Sequence, residues 1–171
     1  MKKTTMSDNT YKLSLTAVFA ALVFLFTFFV KIPMGPGYIH IGDSIIYLCA
    51  CVIGGPWAAA AGAVGAVLAD VIGGYAIYAP ITALAKPLIA VPVALAARHN
   101  PAGRIVTVRT VAATLACALI TAVTYFAGDL VIARAFAFAD IPRSLIQSGA
   151  STVAFIIFGL ALQKVKIPNL R

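Results

Sequence analysis

Charge is what this chain has least of. Of its 171 residues only 11% are charged, 5 are acidic and 2 are histidine, where a soluble domain carries about 25% charged residues. That scarcity narrows the chemistry. There is no H-E-x-x-H or other clustered ligand set, so no metal centre is expected. No G-x-x-x-x-G-K-[ST] is present, so the chain does not itself bind ATP through a P-loop. The QSGAS at 147–151 is not a G-x-S-x-G elbow, and neither histidine lies in a helical run where it could serve as its base. The chain therefore reads as no enzyme, with no cofactor. Its three cysteines, Cys49, Cys51 and Cys117, fall inside apolar segments. C-x-C is not a zinc spacing, which leaves them as small apolar thiols.

What is present is apolar surface: 62% of the residues are hydrophobic. A soluble core of this size cannot hide that much, so the surplus needs a bilayer. The net charge of +8 does not indicate nucleic acid, because the basic residues form no aromatic-interleaved patch. They sit at the ends of apolar runs, as topology determinants do. Lys2 and Lys3 before an apolar run resemble a signal peptide, but the run is too long and FFVKIPMGPG offers no small-x-small cleavage site.

Residues 13–30, LSLTAVFAALVFLFTFFV, span roughly 27 Å as a helix, close to the hydrocarbon thickness. Pro33, Gly35, Pro36 and Gly37 stop this run. The next run, SIIYLCACVI at 44–53, is too short to cross alone. The expected fold is an all-α integral membrane bundle of six helices in one domain over 1–171. The helices are expected at 13–31, 43–54, 57–73, 79–97, 109–134 and 141–163, with helix 2 short and helix 4 kinked at Pro87 and Pro92. An even count puts both termini on one side. That side holds Lys2, Lys3, Lys12, Arg98, Arg104, Arg109, Lys164, Lys166 and Arg171; the other holds Lys31, Arg134 and Arg143. The positive-inside rule makes the first side cytoplasmic.

With orientation fixed, the polar residues of the helices fall at one depth. Asp70, Lys86, Tyr125, Asp129 and Gln147 all lie in the outer half, beneath the outer segment GYIHIGD at 37–43. Ionisable groups inside a bilayer are costly and mark functional sites, so a polar cavity opening outward is expected. Ala58, Gly62, Ala66 and Asp70 repeat every four residues and share a face, as do Thr121, Tyr125 and Asp129. The candidate substrate contacts are Tyr38, His40, Asp43, Asp70, Tyr75, Tyr78, Lys86, Tyr125, Asp129 and Gln147. Several have a second reading. Asp70 and Lys86 either touch a ligand or pair with each other. Asp43 is either a ligand contact or the cap of helix 2. The tyrosines either stack on a flat ring or form an interfacial belt, and His40 is either a contact or a hydrogen-bonded loop histidine. Gly37 to Gly42 read as a lid.

GYIHIGDSIIYL at 37–48, the following GGPWAAAAGAVGAVLADVIGGYAIYAP at 54–80, and Lys86 carry a family resemblance. The chain resembles the substrate-capture (S) components of energy-coupling factor (ECF) vitamin transporters, most closely the riboflavin-type group. The resemblance implies a multi-pass subunit of a prokaryotic cell membrane that binds a vitamin or precursor near the outer face. It also implies partners: a transmembrane coupling subunit and two ATPase subunits, docked through an A-x-x-x-A face of helix 1. Ala17 and Ala21 have that spacing, with Ala20 beside them; packing within the same chain is the other reading. The tyrosines and mixed charges suit a pyridine- or pyrimidine-type ring such as pyridoxine or hydroxymethylpyrimidine. Riboflavin comes next, because the one tryptophan, Trp57, lies at the inner side, away from a flavin. The alternative reading is a solitary homo-oligomeric transporter or channel, for which no inner polar path is evident.

Overall fold

A computed structural model describes residues 8–34, 37–101, 104–132 and 137–165. Gly35 and Pro36 of the loop after helix 1, and Lys2, Lys3, Arg134, Lys166 and Arg171 of the charge count, lie outside the described residues. The chain forms α1 (Asp8–Phe28), β1 (Lys31–Met34), β2 (Gly37–His40), α2 (Asp43–Val52), α3 (Gly55–Ile72), α4 (Ala79–Arg98), α5 (Val108–Ile132) and α6 (Ala137–Gln163), with a 3-10 turn over Ala76–Tyr78 leading into α4. Five helices (α1, α3, α4 with its leading turn, α5 and α6) are long and apolar enough to cross a membrane; α2 is the short one. The chain is an all-α, multi-pass membrane bundle.

At ten residues α2 is about 15 Å long, too short to span, and it is apolar nearly all round. Such a helix is buried rather than set at a surface. All ten of its residues are buried, and α1, α3, α4 and α6 pack around it. Its own turn into α3 uses Gly54 at φ 101°, a left-handed backbone that favours glycine. Pro56 then opens α3, where its missing N–H has no helical partner to lose. The face Ala58, Gly62, Ala66, Asp70 is buried throughout, as its spacing implied. α4 runs unbroken through Pro87 and Pro92. Beside the second, the Cys117 thiol of α5 donates to the Ile89 carbonyl at 3.3 Å. All three cysteines are buried and none of them forms a disulfide.

The segment after α1 departs from expectation. Ile32 to Gly37 reads as a helix stop followed by an irregular lid. Instead Lys31–Met34 pairs antiparallel with Gly37–His40, with Pro33 opposite Tyr38 and Met34 opposite Gly37. Pro33 and Gly37 belong to the paired strands of a hairpin, and α1 ends at Phe28 to feed it.

The hairpin fixes which helix ends meet. It joins the C-terminus of α1, and Arg143 near the start of α6 reaches Gly37. At the other end, Gln163 Oε1 of α6 accepts from the Ile105 and Val106 N–H groups of the α4–α5 link, at 2.7 and 2.6 Å. The start of α1 and the end of α6 therefore share the end that carries Arg98, Arg104, Arg109 and Lys164. That is the end which the positive-inside rule assigns to the cytoplasm.

Candidate functional site

Beneath the hairpin lies a cavity of about 30 Å³, room for about one water. Every long helix and the hairpin contribute to its wall: Thr27 from α1; Gly37, Tyr38 and His40 from β2; Ala66 and Asp70 from α3; Tyr75 and Tyr78 from the turn before α4; Thr82 and Lys86 from α4; Tyr125 from α5; Arg143, Ser144 and Gln147 from α6.

Two hydrogen-bond networks organise these groups. Asp70 is the acceptor of the first. The Tyr38 hydroxyl donates to its Oδ1 and the Thr82 hydroxyl to its Oδ2, both at 2.5 Å. Thr82 has then spent its proton, so at 2.9 Å the Tyr125 hydroxyl must donate to Thr82 Oγ1. Asp43 is the acceptor of the second. Lys86 Nζ lies 2.7 Å from its Oδ1, and Gln147 Nε2 donates to its Oδ2 at 3.0 Å. Both members of the Lys86–Asp43 pair are essentially unexposed. A buried ion pair is stable only when its remaining lone pairs are also satisfied, and Gln147 supplies that bond.

Aromatic rings and cations form the rest of the wall. Tyr38 packs against Tyr75 with ring centroids 4.7 Å apart, and lies 5.6 Å from His40. Lys31 of β1 sits 5.6 Å from each of the Tyr38 and Tyr75 rings, within cation–π reach. Arg143 is ion-paired with Asp140 one turn back, and its guanidinium lies 5.9 Å from the Tyr125 ring. It passes so close to the hairpin backbone that a Cβ at position 37 would require the guanidinium to shift. His40 Nδ1 accepts from the Gly42 N–H at 3.0 Å, so its proton is on Nε2. Burial, followed by the nearby Lys86 and Arg143 charges, pushes His40 down to about 3; Asp43 opposes this only in part. Burial and the adjacent Asp70 carboxylate push the Tyr38 hydroxyl well above its ordinary value.

Eight of the ten candidate residues thus line one cavity: Tyr38, His40, Asp70, Tyr75, Tyr78, Lys86, Tyr125 and Gln147. The other two do not line it. Asp43 neither caps α2 nor lines the cavity: Gly42 holds the N-cap position with no side-chain cap bond, and Asp43 is the counter-ion behind Lys86. Asp129 shares the face of Thr121 and Tyr125 but lies a turn beyond the cavity, buried against Tyr78 and Asp140. Of the two readings of Asp70 and Lys86, the mutual bridge is not made, because α2 brings Asp43 to the lysine. Thr82 and Arg143 are the principal residues missed. Tyr78, Thr82 and Lys86 are spaced by four, a signal present in the sequence, whereas Arg143 reads there only as a topology charge.

On α1, Ala17 and Ala21 are exposed, whereas the Ala20 carbonyl backs onto Gly65 of α3. Among the described residues no group of three potential metal ligands comes together. The cavity offers rings, hydroxyls and internally paired charges.

A search of curated proteins gives no match. The model of the ECF-type riboflavin transporter S component family matches residues 7–164. The chain therefore belongs to the ECF-type riboflavin transporter S components, substrate-binding membrane subunits of vitamin uptake and not an enzyme family.

Proposed function

We propose that the cavity under the hairpin captures a small, uncharged heteroaromatic vitamin or precursor, of the pyridine or pyrimidine type exemplified by pyridoxine and hydroxymethylpyrimidine. The observation that carries this reading is the charge pairing around the cavity. Lys86 is matched by Asp43 and Arg143 by Asp140, while Asp70 is occupied by two hydroxyl donors. A charged solute would have to strip one of these pairs, whereas a neutral ring with hydroxyl groups can exchange hydrogen bonds with Tyr38, Asp70, Thr82 and Gln147. Tyr38, Tyr75 and Tyr125 supply faces for stacking, and His40, held neutral, supplies a ring without charge.

A space of about 30 Å³ is smaller than any aromatic ring, so entry requires the hairpin to lift and the Tyr38–Asp70 bond to part. One ring demands a smaller displacement than the three fused rings of a flavin. Riboflavin is the second reading, favoured by the description of the family itself. Below the cavity, Ile46, Tyr47, Ile89 and Phe155 are fully buried, which supports capture over conduction by a solitary channel. Delivery then falls to partners, a transmembrane coupling subunit with two ATPase subunits in the cell membrane of a prokaryote. The exposed Ala17 and Ala21 are the docking face in this reading, with Ala20 turned inward.

Calorimetric titration of the purified full chain with pyridoxine, hydroxymethylpyrimidine and riboflavin tests this directly. A one-ring compound is expected to bind without ATP at a Kd below about 1 μM, and Asp70→Asn to weaken it by about tenfold. Preference for riboflavin moves the assignment to the second reading, and no binding of any B vitamin or precursor at millimolar concentration rejects capture.

A further inference from the structure

The end of the bundle opposite the hairpin carries a second concavity. An open, shallow groove of about 920 Å³ runs between the α4–α5 link and the first turns of α5. Its lining joins apolar Val108, Val111 and Leu115 of α5 to the charged Arg104 and Arg109. Both arginines are exposed. Neither belongs to an ion pair among the described residues, where both pairs lie at the hairpin end.

The link is held in place. The Arg104 N–H donates to the Pro101 carbonyl at 3.1 Å, and Asn100 Nδ2 donates to the Arg104 carbonyl at 3.3 Å. The Ile105 and Val106 N–H groups are gathered by Gln163, and the Thr110 hydroxyl donates to the Ile105 carbonyl at 2.8 Å. The backbone that carries Arg104 is therefore fixed from both sides, and Arg109 lies in the first turn of α5.

From the groove an exposed apolar stripe climbs α5: Val108 (87% exposed), Ala112, Leu115, Leu119 (67%) and Val123 (66%). Spacings of four and three keep these residues on one face over most of the span. A face that stays apolar and exposed along a membrane span lies against acyl chains. The groove thus joins a lipid-facing stripe to two guanidinium groups that form no ion pair among the described residues, at the level where the spans end. Guanidinium binds phosphate oxygens in a bidentate fork.

We infer that this groove is a discrete site for an anionic phospholipid, with the phosphate at Arg104 and Arg109 and an acyl chain along the α5 stripe. Charge complementarity and continuity with the lipid-facing stripe select lipid over a protein partner. The site is separate from the solute cavity and does not depend on which vitamin that cavity takes.

Native mass spectrometry of the full chain in detergent tests it, with phosphatidylglycerol, phosphatidylcholine and inorganic phosphate as probes. One phosphatidylglycerol per chain is expected at concentrations where phosphatidylcholine leaves the protein bare, and millimolar phosphate should not displace it. Each arginine removed should weaken binding about fivefold, so R104A with R109A should lose about 25-fold. R98A with K164A removes the same charge from the same end, outside the groove, and should stay within about threefold of wild type. Leu115→Trp adds bulk to the apolar lining without touching the charge and should also weaken binding. Should the double variant fail to fold, R104Q and R109Q singly carry the same test. Equal loss from the two charge-matched pairs means diffuse attraction and overturns the site. Displacement by phosphate makes it a free-anion site and overturns the lipid. If R104A with R109A keeps phosphatidylglycerol but loses assembly with the coupling subunit, the groove belongs to a protein and the inference is wrong.

Discussion

The two ends of the bundle use the same cations in opposite ways. At the hairpin end, Lys86 and Arg143 are buried, and each has a carboxylate of its own in Asp43 and Asp140. At the other end Arg98, Arg104, Arg109 and Lys164 are exposed and take part in neither ion pair. The difference follows from solvent. A charge taken into a low-dielectric interior costs several kcal/mol unless paired and hydrogen-bonded, whereas one at the membrane boundary keeps its water and is free to orient the chain. With only 5 acidic residues in the chain, where they are placed is informative. Four of them, Asp43, Asp70, Asp129 and Asp140, are buried in the hairpin half, so that half holds nearly all the fixed negative charge and the opposite end holds almost none.

Breaking the buried pair should produce the largest effect. Lys86→Met leaves Asp43 fully buried with Gln147 as its one remaining donor, and removing one partner of a buried pair costs about 3–5 kcal/mol. Thermal unfolding in detergent reads this as a large fall in midpoint. Adding Asp43→Leu removes the stranded charge and should restore more than half of the loss. A Lys86→Met protein as stable as wild type would mean that the two ends do not differ in kind.

Acid should discriminate between the ends next. His40 faces Lys86 and Arg143 and, on the opposing side, Asp43; Tyr38 is its aromatic neighbour. Its folded value is pushed down from 6.5 to about 3. The unfolded chain therefore takes up a proton below pH 6.5 that the folded chain refuses until about pH 3. Stability is complete above pH 6.5 and falls through that window as pH drops, by about 1.4 kcal/mol per unit, so that pH 5 costs about 2 kcal/mol. His40→Gln keeps an acceptor for the Gly42 N–H and should flatten the slope between pH 7.5 and 5. An unchanged slope in that variant would assign the acid sensitivity elsewhere.

Legibility also differs between parts of the molecule. The five spans and the short central helix could be read from apolar run lengths alone. Charge asymmetry then set the depth of Asp70, Lys86, Tyr125 and Gln147 closely enough to gather them in one cavity. The hairpin was hidden, because two four-residue strands are too short to show alternation and their Pro and Gly residues read as breakers. The partner of Lys86 was hidden for a different reason. Spacing along a helix tells which residues share a face, but not which neighbouring helix that face meets. Asp43 arrives from 43 positions away because α2 occupies the centre of the bundle. Asp129 shows the same limit: its face was read correctly, but its height, one turn above the cavity and beside Asp140, depends on how α5 and α6 are offset.

The smallest effect is expected where the comparison predicts almost none. Arg104→Ala with Arg109→Ala removes two full charges, yet both side chains are exposed and neither is ion-paired among the described residues. The hydrogen bonds that hold the α4–α5 link run through backbone groups, Gln163, Asn100 and Thr110, none of which is altered. Exposed substitutions away from such features stay within about 0.5 kcal/mol. In lipid-free detergent the unfolding midpoint should therefore stay close to wild type, with no change in its pH dependence between 7.5 and 5. A loss approaching that of Lys86→Met would mean that the basic end is itself a structural network, and that burial is not what separates the two ends. Retained stability locates the fold's dependence on charge at the hairpin end and leaves the arginines of the opposite end free to engage the membrane.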